Sequence, residues 1–101
     1  SMFDLIVTIV ARGYADLVME AAKEKGARGG TVITGRGTGQ KEAEKFFNII
    51  LHPERELVLM VVASEKRAEI MEEITQKAGL KTVGQGITFS LPVDEVIGLT
   101  V

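Results

Sequence analysis

Four short β-forming runs alternate with two helix-forming ones, an order that leaves a 101-residue chain few ways to close on itself. Residues 3–10 form a continuous apolar, β-branched run, the pattern of a buried strand. Between 14 and 25, Tyr14, Leu17, Val18, Ala21 and Ala22 fall at helical spacing, and Gly26 stands where a helix ends. Residues 28–36 and 56–63 read as the second and third strands, with Pro53 ahead of the third because proline cannot sit inside a central strand. Ser64 is placed to cap a second helix, and Glu65 lies favourably in its first turn. That helix is expected to bury Ile70, Met71, Ile74 and Ala78 and to stop at Gly79. Residues 86–93 read as the fourth strand, with Pro92 marking its end or an edge position.

The resulting order, βαββαβ, predicts an α+β fold in which an antiparallel sheet carries both helices on one face. The other face is then bare. Thr8, Thr31 and Thr88 are expected to polarise it in part, but Ile and Val crowd every strand. An uncovered apolar face is an interaction surface, and closed symmetric association is the expected remedy. Hydrophobic residues make up 46% of the chain, enough for one core, so residues 2–101 read as a single domain, with Ser1 ahead of Met2 reading as a tag remnant.

Composition excludes several chemistries. There is no cysteine, hence no disulfide framework, thiolate nucleophile or zinc knuckle. A net charge of −2 argues against a general nucleic-acid binder. Five aromatic residues, Tyr14 and four Phe, give no base-stacking platform of the RNA-recognition kind. The longest apolar runs are too short to span a bilayer and no leader pattern is visible, so a cytoplasmic location is expected. His52 is the one histidine, without partners for a triad or a metal site, and the four Met read as core fillers. An acylphosphatase-like hydrolase needs an arginine loop after the first strand and an asparagine on the sheet; Arg12 fits the first, but Asn48, the only Asn, lies in a loop. No enzyme is expected. An amino-acid-sensing regulatory domain of the same layout stays open.

Two glycine clusters remain: Gly35-Arg36-Gly37-Thr38-Gly39-Gln40 after the second strand, and Gly84-Gln85-Gly86 before the fourth. Such turns let bare N–H groups approach an anion. The first lacks the Gly-Lys-Ser/Thr of a phosphate-binding loop and the following crossover of a dinucleotide fold. The connection over 37–55 is long for a link between neighbouring strands, usually a functional signal, and reads as a partner-contacting loop.

The run Gly26 to Val32, then Arg36-Gly37-Thr38-Gly39-Gln40, and later Gly84-Gln85-Gly86-Ile87-Thr88-Phe89, resembles the PII signal-transduction family, over nearly the whole chain. The resemblance implies a ferredoxin-like βαββαβ subunit, a homotrimer, and a small adenine nucleotide in clefts between subunits, with no obligatory cofactor. It implies that 37–55 is a T-loop acting on a protein partner, a membrane transporter or a metabolic enzyme, through Lys41, Lys45, Phe46, Phe47 and Asn48. Thr31, Gly37, Thr38, Gly39 and Gln40 are expected to line one wall of the cleft, Gly84, Gln85 and Gly86 to wrap the phosphates, and Ile9 and Met60 to lie near the base. Arg36 and Ile87 complete the expected contact set. Typical members carry Lys where this chain has Ile87, and two Arg where it has residues of Gly98-Leu99-Thr100. Arg28, Arg36 and Lys41 are the cations left to meet phosphate, so ADP, AMP or a cyclic nucleotide is expected ahead of ATP. The only tyrosine is Tyr14, which excludes nucleotidylation of a loop tyrosine. The alternative is a ligand-independent or metal-linked structural trimer of the copper-tolerance type.

Overall fold

The computed structural model describes residues 2–38, 54–82 and 85–99. Its elements run β1 (Phe3–Ala11), α1 (Ala15–Glu24), β2 (Thr31–Arg36), β3 (Glu54–Ala63), a short 3-10 turn (Ser64–Lys66), α2 (Arg67–Lys77) and β4 (Gly86–Val93). The strands form one sheet in the order β2-β3-β1-β4, every neighbouring pair antiparallel. The βαββαβ order and the ferredoxin-like layout expected from the sequence are therefore present, with β4 and its Pro92 on an edge.

Side chains alternate across the pleat. Ile6, Val10, Val58, Met60 and Val62 point toward the helices and join Val18, Ala21, Ala22, Ile70 and Ile74 in the core. The alternate set, including Leu5, Ile9, Leu57, Leu59, Ile87, Phe89 and Leu91, faces away, and neither helix covers it. Phe89 and Leu91 accordingly remain 40% and 49% exposed. Thr8 and Thr88 are a correction. They lie on the helix side, directly opposite each other, with their hydroxyls hydrogen-bonded at 2.9 Å. Of the three threonines only Thr31, opposite Leu59, shares the bare face. That face is more apolar than the sequence implied.

Both helices end as the glycines predict. Ala27 N–H donates to the Ala22 carbonyl and Gly26 N–H to that of Lys23, with Gly26 at φ +106°, a Schellman closure. The equivalent long bond, Leu80 N–H to the Thr75 carbonyl, closes α2 around Gly79. Because Ala27 tucks into the core after this turn, β2 begins at Thr31 rather than at Arg28. Two helix positions differ: Leu17 is 38% exposed, and Met71 packs only partly buried against the core. Ser64 opens the 3-10 turn, so the α-helix starts at Arg67 and not beside Ser64.

The start of α1 is held from outside the helix. Tyr14, at its N-cap, makes no side-chain cap. Glu56 of β3 supplies one: its Oε1 accepts the N–H of Gly13 at 2.7 Å and of Ala15 at 3.1 Å. Asp4, only 4% exposed, is met by Arg67 at the start of α2, Nη1 to Oδ2 3.5 Å.

Candidate functional site

The end of the sheet where β1 finishes and β4 begins gathers several of the residues the sequence singles out. On the bare face, the register aligns Ile33, Leu57, Ile9 and Ile87 in one row across all four strands. The next row outward holds Gly35, Arg55 and Ala11. Ile9, Arg55, Gly86 and Ile87 line a shallow depression of about 300 Å³ between these rows. Three of those four, Ile9, Gly86 and Ile87, are expected from the sequence; Arg55 is not. Its signal lies in the strand boundary: β3 begins at Glu54, so Glu54 and Arg55 are ladder residues rather than loop. Alternation then sends Arg55 to the bare face between two glutamates on the other.

Gly86 has a second reason to be glycine. Its φ is +147°, and a Cβ there would run into the Ile9 carbonyl oxygen. Close approach of β4 to β1 therefore demands glycine at this position, whatever else the turn does.

Other expected positions fall elsewhere. Met60 is 1% exposed and on the opposite face, so its side chain is core and not cleft. Arg36 pairs with Glu54 and so takes the helix-side face, away from Ile9. Thr31 is on the bare face but one row further in and on the outer strand, beside Leu59. Gly37 and Thr38 follow directly from β2 at the site end. Gln85 donates from Nε2 to the Ala78 carbonyl at 3.4 Å, which commits it to the end of α2. Gly39, Gln40, Lys41, Lys45, Phe46, Phe47, Asn48, His52 and Gly84 lie outside the described residues.

Charge near the depression is arranged in pairs on the helix side. Arg12 Nη1 meets Glu54 Oε2 at 3.1 Å, between exposed side chains, and Glu56 is occupied by the α1 turn. A smaller depression of about 200 Å³ sits at the far end of β1 and β3, where Phe3, Ala27, Arg28, Lys66 and Leu99 converge. The sequence marks Arg28 there but not Lys66. A larger hollow, about 520 Å³, follows the outer side of α2 through Glu72, Thr75, Gln76 and Lys81 and holds none of the expected residues. Among the described residues no group of acidic or histidine side chains could hold a metal ion, and no helix is long and apolar enough to cross a membrane.

Comparison with known proteins agrees with this geometry. A family model described as nitrogen regulatory protein P-II matches residues 3–100. The crystal structure of Arabidopsis thaliana PII bound to citrate superposes with a TM-score of 0.73 at 26% sequence identity, covering 92% of this chain and 78% of that one. No curated protein sequence matches.

Proposed function

This chain belongs to the nitrogen regulatory protein P-II family, and on that premise we propose that it is a trimeric, non-enzymatic cytoplasmic regulator that binds a small adenine nucleotide between subunits. The observation that carries the reading is the bare sheet face. Its apolar rows run across all four strands and end in the depression of Ile9, Gly86 and Ile87. Burying that face against further copies removes it from water and turns the open depression into a cleft between subunits. The 37–55 segment leaves from the same end, through Gly37 and Thr38, so a ligand in the cleft lies at its root. A ligand that binds better when the segment takes one shape shifts it toward that shape, and a transporter or metabolic enzyme reads the result.

Two measurements test this. Sedimentation equilibrium is expected to return three times the 10.9 kDa chain mass. A thermal-shift panel of ATP, ADP, AMP and cyclic nucleotides is expected to single out one of the smaller ligands. At about a hundred times its Kd the ligand adds roughly 2.7 kcal/mol. A monomer, or a flat panel, refutes the proposal.

A further inference from the structure

The hollow of about 520 Å³ along the outer side of α2 is within the usual size range of small-molecule sites, and the nucleotide reading gives it no task. It lies on the helix side of the sheet, so covering the bare face leaves it open. Glu72, Thr75, Gln76 and Gly79 form one stripe down α2 and past its end, at helical spacing, and Lys81 and Thr82 close the hollow from the turn that follows. Its charge is divided. The helix brings the Glu72 carboxylate and the carbonyl end of α2, which favours cations. The turn brings the Lys81 ammonium. Among the described residues neither Glu72 nor Lys81 is in an ion pair, whereas Lys77, also on α2, is held by Glu24. Hydrogen-bonding groups are divided the same way. The Thr75 hydroxyl donates its proton to the Met71 carbonyl at 2.8 Å, so toward a ligand it can only accept. The Thr82 hydroxyl stands over Gly79 and has its proton to give. The described lining residues include no aromatic or branched aliphatic side chain, so nothing among them receives a base or an acyl chain.

We propose that this hollow is a second ligand site, for a free amino acid, with Glu72 and Thr75 meeting its ammonium and Lys81 and Thr82 its carboxylate. A lone anion there faces Glu72, and a lone cation faces Lys81; a zwitterion satisfies both. Gln76, on the same stripe as Glu72, supplies a donor and an acceptor for a polar side chain. The site is joined to the sheet through backbone. Thr82 N–H donates to the Gly79 carbonyl at 3.0 Å and Gln85 N–H to the Thr82 carbonyl at 3.2 Å. Gly86 follows and lines the Ile9 depression. An amino acid that holds Lys81 and Thr82 therefore acts on the chain that sets Gly86, and through it on whatever occupies the depression.

The test is calorimetry on the native protein with glycine, serine, glutamate, glutamine and lysine, and with acetate and methylammonium as half-ligands. At least one amino acid is expected to bind with a Kd below about 1 mM, and about tenfold or more tightly than either half-ligand. Glu72→Gln and Lys81→Met, both at exposed positions, are each expected to weaken it about tenfold or more, with circular dichroism unchanged. In ¹H–¹⁵N spectra the amides of Gly79, Thr82 and Gly86 are expected to shift with the ligand. Silence from every amino acid overturns the site. A half-ligand that binds as tightly as the amino acid overturns the zwitterion. Binding that survives both variants overturns the hollow as its place. Shifts at Gly79 and Thr82 with Gly86 still overturn the link to the sheet. Should a variant fail to fold, the spectra of the native protein locate the ligand. A flat nucleotide panel leaves this site standing, and its failure leaves the nucleotide reading untouched.

Discussion

Replacing Gly86 by alanine separates a structural glycine from a ligand-facing one. Gly86 ends the β1–β4 ladder opposite Val10, at φ +147°. An added Cβ would overlap the Ile9 carbonyl oxygen and come within 3.1 Å of the Ile9 carbonyl carbon and the Val10 Cα. All three are backbone atoms, which cannot swing aside as a side-chain tip can. The left-handed conformation costs an L-residue roughly 1–2 kcal/mol, and forcing backbone apart in a packed region about 1–3 kcal/mol more. The sum is about 2–5 kcal/mol, a fall in Tm of roughly 8 °C or more for a domain of this size. Two controls isolate the parts. Gly13 also has positive φ, at +92°, but nothing lies within 4 Å of where its Cβ would stand, so Gly13→Ala reports conformational strain alone. Gly29 has neither feature, and Gly29→Ala is expected to stay within about 0.5 kcal/mol of the native protein. Urea unfolding at one fixed protein concentration gives all three values, since the stability of an oligomer depends on concentration. If Gly86→Ala costs no more than Gly13→Ala, the close approach of β4 to Ile9 is not what demands glycine there.

Glu56→Ala is expected to lose about 1–3 kcal/mol in urea unfolding, because the N–H groups of Gly13 and Ala15 both lose their acceptor. Thr8→Val is expected to cost about 1 kcal/mol by leaving the half-buried Thr88 hydroxyl without its partner, while Thr8→Val with Thr88→Val recovers most of that loss. Ile74→Ala, at a fully buried position of α2, is expected to cost about 2–5 kcal/mol, measured the same way. Phe89→Glu places a charge midway along the edge strand β4 on the bare face and is expected to yield monomers by sedimentation with the fold intact by circular dichroism. An undiminished trimer would show that this face is not the one buried.

Much of the fold is legible in the sequence because its signals are local. The strand and helix runs carry their own periodicities, and Gly26 and Gly79 end their helices through bonds spanning five residues. The register and strand order make Ile9 and Ile87 neighbours, and the sequence marks both for the cleft. The misplaced strand residues share one cause. A two-residue period sorts a strand into two sets but does not say which set the helices will cover. Thr8 and Thr88 therefore take the side opposite to the one expected, and the register puts Met60 and Arg36 on the face opposite Ile9.

By itself the sequence determined the element order, the helix ends, an apolar sheet with one face left over, and membership of a family whose members share that layout. Only tertiary structure decided what depends on distant partners. Glu56 caps a helix that begins 41 positions earlier in the chain. Gly86 must be glycine because Ile9, far away in sequence, passes so close. Arg55 is the one charge among the described strand residues of its face because the other strands present neutral residues there. Pairing register and helix docking bring such groups together, and neither is encoded in any single stretch of residues.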